Sequence, residues 1–98
     1  MNMQAMLQKA QKMQKEMMKT QEEINNKVFE GKSSFVNVKV KGTKEIVEVN
    51  IDSEEMDKDD IEMLQDIIVV AINDALSKVD KETEEKLGKY TQGMPGLF

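Results

Sequence analysis

The 98-residue chain has no cysteine and no histidine. That excludes disulfides, thiol nucleophiles, imidazole acid–base catalysis and zinc sites built on Cys or His. Serine–histidine and cysteine–histidine nucleophile pairs are excluded with them. All 14 basic residues are lysine, so arginine is absent too. Without arginine the commonest specific major-groove contact, its bidentate grip on guanine, cannot form. Only four aromatics occur, Phe29, Phe35, Tyr90 and Phe98, and they do not cluster. Such scatter offers no stacking platform for single strands. The longest apolar run, Ile67 to Ile72, is far shorter than a membrane span. Residues 1–20 read as an amphipathic helix rather than a secretion signal. A Cys-free chain fits a reducing cytosol.

Enzymatic and metal readings find no support in the residues. There is no glycine-rich phosphate loop. A calcium-loop frame begun at Asp52 puts Met56 at the fifth position, Asp57 where glycine is required and Met63 at the twelfth. The frame fails, and helix capping and solvation account for those acids. Asn73-Asp74 interrupts an apolar stretch, but no partner for a catalytic carboxylate is visible. A hydrogen-bonded polar spot is the simpler reading. We expect no catalytic residue, no metal, no cofactor and no small-molecule substrate.

The net charge of −5 conceals a division. Residues 1–44 carry nine Lys against four acids, a net of +5. Residues 45–98 carry five Lys against fifteen acids, a net of −10. Such asymmetry bears on partners rather than on fold. A basic first half can meet an anionic polymer while the acidic half stands off or contacts something else.

Apolar periodicity sets out the elements. Met3, Met6, Ala10, Met13, Met17 and Ile24, with Thr20 in the remaining slot, alternate spacings of three and four. This is a coiled-coil-like seam, and it predicts a helix over about 3–26. Lys27 to Glu30 is a short candidate strand, followed by a Gly31-Lys32-Ser33-Ser34 turn. Val36, Val38 and Val40 alternate with polar residues, as do Val47, Val49 and Ile51. Each set has the period-two signature of a strand with one buried face, joined by a tight turn at Gly42-Thr43. Asp57 and Asp60 can cap a helix over about 58–87, with Gly88 as its stop. Its stripe is Ile61, Leu64, Ile68, Ala71, Ala75 and Val79, and Ile67 to Ile72 is apolar almost all round. After Val79 only Leu87 is apolar, so the far end is expected to project into water.

The expected fold is α+β: a long N-terminal helix, a small antiparallel sheet of two to three strands, and a long C-terminal helix. One domain covers residues 1–88, and residues 89–98 read as a flexible tail with an apolar Leu97-Phe98 tip. Helices of ~36 and ~45 Å overhang strands of roughly 23 Å. Overhanging apolar stripes and an all-round apolar helix middle predict a homodimer with projecting helical arms.

Lys9, Lys12, Lys15 and Lys19 are the candidate binding residues. The last three lie near one face of the first helix and Lys9 sits beside Lys12. Two subunits present eight such charges for phosphate contact, which needs no sequence reading. Lys39, Lys41 and Lys44 extend the positive half across the hairpin. The competing reading is a solvated polar face opposite the methionines. Duplex DNA bound with little sequence preference is the nucleic-acid reading that fits. The alternative is a protein-interaction module that uses the Met-rich helix and the Leu97-Phe98 tail, with weak or no DNA binding.

Several stretches together resemble one known family. Lys9-Ala10-Gln11-Lys12-Met13-Gln14 with Gln21-Glu22-Glu23 is similar to the first helix of the YbaB/EbfC family of bacterial nucleoid-associated proteins. Gly42, Val47 to Asp52, Ala71-Ile72-Asn73-Asp74-Ala75 and Gly93 to Phe98 follow the same pattern in order. The resemblance implies a tweezer-like α/β homodimer, cytoplasmic and associated with the nucleoid, that binds DNA and influences gene expression. It places DNA contacts on the projecting helices. By position these are Lys9, Lys12, Lys15 and Lys19, with Lys86 and Lys89 near the end of the second arm. The chain departs from many relatives in lacking arginine and in its acidic second helix.

Overall fold

The computed structural model describes residues 2–52 and 57–91. In chain order they form α1 (Met3–Asn26), β1 (Val28–Ser33), β2 (Val36–Lys41), β3 (Ile46–Ile51), a 3-10 turn (Lys58–Asp60) and α2 (Ile61–Thr91). The sheet is antiparallel in the order β1-β2-β3. The molecule is long and narrow, 71 × 23 × 14 Å.

Local chemistry explains the boundaries. Asn2 caps α1, its side-chain oxygen accepting the Gln4 N–H at 3.0 Å. The chain leaves α1 through Lys27, whose N–H donates to the Ile24 carbonyl. Between β2 and β3 the turn closes with Lys44 at φ 73, and the Lys41 N–H donates to Glu45. Asp60 accepts the Asp57 N–H through its side chain, and the Asp60 N–H returns to the Asp57 carbonyl. That reciprocal pair tightens residues 58–60 into a 3-10 turn, so the α-helix starts at Ile61 rather than Lys58.

The core lies between α2 and the inner faces of β1 and β2. Phe29, Val36, Val38, Val40, Ala71, Ala75 and Val79 are buried there, with Ile24 of α1 closing one end. Gly31 belongs to β1, not to the turn the sequence suggests, and the turn sits at Ser34-Phe35 with Ser34 at φ 51. The cause is the approach of α2. A Cβ on Gly31 would lie 2.2 Å from the Ala71 carbonyl oxygen and 2.4 Å from the Ala75 nitrogen. Gly31 and the two alanines let helix backbone meet strand backbone.

Two expectations for α2 are corrected. Gly88 does not stop the helix, which continues to Thr91. Its far end does not stand free in water either: Leu87 is buried and Tyr90 half-buried. Leu87 lies beyond the reach of the sheet, and α1 is the element that covers it, with Met17 packing into the same cluster. That packing outweighs the roughly 1 kcal/mol that glycine costs a helix. Of the tail read over 89–98, residues 89–91 are therefore helical, and Gly93 to Phe98 lie outside the described residues, as do the acids at 54 and 55.

α2 covers β1 and β2 but makes no contact with β3 among the described residues. All six residues of β3 are exposed. Val49 and Ile51 pair with Val38 and Val36, so they share the inner face that α2 covers one strand away. The apolar middle of α2 is accordingly covered on one side only within a single chain, Val69 and Val70 each being 56% exposed.

Gly31→Ala should push α2 off β1 and lower stability by about 2 kcal/mol, within the usual cost of overpacking. Lys32→Ala, on the outer face, should change it by less than about 0.5 kcal/mol. Urea unfolding of the two variants checks the contrast.

Candidate nucleic-acid interface

At 100° per residue, Lys12, Lys15 and Lys19 fall within about 60° of one another on α1, with Lys9 a further step round. The methionine stripe occupies the opposite side, where Met17 and Ile24 meet the rest of the protein. α1 is therefore turned with its lysines outward. All four are exposed, and none has an ion pair among the described residues.

The lysines of the body differ. Lys27 pairs with Glu82 at 2.6 Å and Lys44 with Asp80 at 2.9 Å. Lys39 lies between Glu48 at 3.4 Å and Glu30 at 3.9 Å, and Lys78 is 3.5 Å from Asp74. Exposed pairs of this kind add little stability. Their consequence is local neutralisation: Glu30, Glu48, Asp74, Asp80 and Glu82 face the body's own cations. The hydrogen bond from Lys27 holds the Glu82 carboxyl below its ordinary pKa, with Lys86 adding a second positive charge. Glu82 thus stays ionised between two lysines.

The second-arm candidates are less exposed to a ligand's charge. Lys86 is 3.4 Å from the Glu82 carboxylate, and the Lys89 ammonium sits 5.0 Å from the Tyr90 ring centre. Lys41 carries no ion pair among the described residues, whereas Lys39 and Lys44 do. The structure thus brings Lys12, Lys15 and Lys19 onto one helix face with Lys9 at its border, and leaves Lys86 and Lys89 on a different element. A shallow open groove of about 520 Å³ flanks α1 beside Lys15, Met18, Lys19 and Glu22. Its charges are of mixed sign, which suits no one small ion.

Asp74 does what a structural polar residue does. Its carboxylate accepts the Lys32 backbone N–H at 3.0 Å, and that bond, the largest influence, keeps its pKa below the ordinary value. Lys78 donates to the Glu30 carbonyl at 2.7 Å. Together the two α2 side chains satisfy outward-pointing backbone groups along the free edge of β1. The sequence marked Asp74 as a polar spot but did not show that it closes a sheet edge. Among the described residues no three acids converge to hold a metal ion, and no helix is long and apolar enough to cross a membrane.

The sequence model of the YbaB/EbfC DNA-binding family matches residues 1–94. The chain belongs to that family. A nucleoid-associated protein of Ligilactobacillus salivarius is 48% identical, covering 99% of this chain and 95% of its own. One from Enterococcus faecalis is 47% identical, covering 98% and 94%. A crystal structure of an uncharacterized Helicobacter pylori protein superposes with a TM-score of 0.74 over 92% of this chain and 97% of that one. At 23% identity, that likeness concerns the YbaB/EbfC fold alone.

Proposed function

We propose that the protein binds duplex DNA as a nucleoid-associated homodimer, through Lys9, Lys12, Lys15 and Lys19 of α1. The observation that carries this is the segregation of charge. Five of the body's lysines, Lys27, Lys39, Lys44, Lys78 and Lys86, face acids, whereas Lys9, Lys12, Lys15 and Lys19 of the projecting helix all face solvent with no ion pair among the described residues. An acidic protein can bind a polyanion when its uncompensated cations stand on an arm that holds the acids away. Phosphate contact by lysine carries no base information, and the chain has no arginine to add any. DNA sequence therefore matters little to affinity. Family membership and the names of the relatives support the same reading, and with it a place in the bacterial cytoplasm on the nucleoid. Lys86 and Lys89 contribute less, since each already has a neighbour for its charge.

What α2 leaves bare supports the homodimer. Asp74 and Lys78 mark the β1 side of α2. At 100° per residue, Val69, Ile72 and Leu76 lie on the opposite flank, toward β3. That flank, with Val69 56% exposed, and the inner face of β3, with Val49 43% and Ile51 40% exposed, both carry uncovered apolar surface. The α2 helix of a second copy, laid beside the first, covers both. Two sheets then enclose two central helices, and the α1 arms project from the ends.

Two outcomes test the reading. Replacing Lys12, Lys15 and Lys19 by Gln should weaken duplex binding at least about a hundredfold at low salt, since each lost phosphate contact is lost regardless of sequence. The variant should keep its far-UV circular dichroism, because all three positions are exposed; unchanged DNA affinity would sink the assignment. Val69→Asp should reduce the mass in light scattering from twice the chain's 11.2 kDa to once. A variant that stays at the wild-type mass would place the interface elsewhere.

A further inference from the structure

The apolar stripe of α1 is covered over only part of its length. Met17 packs on the core and Ile24 is buried, while on the same face Met3, Met6 and Met13 are 78%, 55% and 43% exposed. α2 is the element that covers the stripe, and it does so up to Leu87 and Tyr90. Its direction is fixed by contacts along β1: Asp74 meets Lys32, Lys78 meets Glu30, and Glu82 meets Lys27 where α1 ends. α2 therefore advances past the sheet and then back along α1, toward the α1 N-terminus. From the Glu82–Lys27 contact it runs on nine residues to Thr91, about 14 Å of helix, while Met17 lies about 15 Å back along α1 from Lys27.

We propose that the seven residues after Thr91 bind the exposed methionine stripe of their own α1, and so complete the packing that α2 begins. Three facts select this occupant. Seven residues reach ~23 Å when extended, and the α1 axis from Met17 to Met3 is ~21 Å. α2 ends at Thr91, past Leu87 and Tyr90, which pack with Met17 in the covered part of the stripe. Its composition fits the surface: Gln92 to Phe98 carries no charged side chain and includes Met94, Pro95, Leu97 and Phe98. Methionine adapts to irregular apolar partners and makes favourable contacts with aromatic rings, which suits Phe98. A second copy is the weaker candidate, because the surface left for it centres on Val69, about 33 Å along α2 from Thr91. The contact stiffens the arm and closes its apolar face while the lysines opposite stay open. It does not depend on DNA binding.

Hydrogen exchange on the full-length protein tests this, comparing wild type with Leu97→Ser/Phe98→Ser. Amides of residues 3–16 should exchange about tenfold faster in the variant, while β1, β2 and α2 up to Val79 stay unchanged and the light-scattering mass stays the same. The methyl resonances of Met3, Met6 and Met13 should move in a carbon-13 methionine spectrum as the Phe98 ring is withdrawn. Equal exchange and unmoved methyls would overturn the proposal. Faster exchange accompanied by a fall in mass would overturn it too, because a second copy would then be the occupant.

Discussion

The structure depends on a backbone-to-backbone approach. Gly31 lies against Ala71 and Ala75 so closely that no side chain fits between α2 and β1. With α2 seated there, Asp74 and Lys78 reach the β1 edge and fix the helix lengthwise. The same seat centres α2 over β1 and β2 and leaves the inner face of β3 bare. It also carries the last third of α2 beyond the sheet, where Leu87 needs a cover that α1 supplies. α1 is thereby held at its C-terminal end, and its first half extends past everything else in the chain.

Charge follows from that geometry. A chain with an excess of acids would repel DNA if its charges were mixed over a sphere. Here the acids of α2 lie along the body, several within 4 Å of Lys27, Lys44, Lys78 and Lys86. The arm carries four lysines against the one acid, Glu16, that falls between Lys9 and Lys19. At physiological salt the field decays over about 8 Å. An arm longer than that separates its own potential from the body's.

The sequence was most readable where one face of an element meets one partner. The heptad spacing from Met3 to Ile24 and the valine alternation of β2 each placed an element, because burial on one side writes a period into the chain. Glycine misled twice. Gly31 and Gly88 look like punctuation, yet one is in a strand because a helix needs its missing side chain, and the other is in a helix because Leu87 and Tyr90 pack on either side of it. The bareness of β3 could not be read, since its alternation is that of a covered strand and the missing cover is a matter of tertiary placement. The lysines of α1 were legible as a helix face. Their freedom from ion pairs was not, because Lys27 finds Glu82 and Lys44 finds Asp80 only across the fold. The edge-closing role of Asp74 was hidden for the same reason.

The most direct measurement is a mobility shift of the wild-type protein on two unrelated duplexes of equal length across a salt series. Electrostatic binding by lysine arms predicts similar affinities for both, falling steeply with salt. With eight phosphate contacts per dimer as the upper bound, the log–log slope should reach about −7. No shift at low salt, or a strong preference for one duplex that persists as salt rises, would contradict the account.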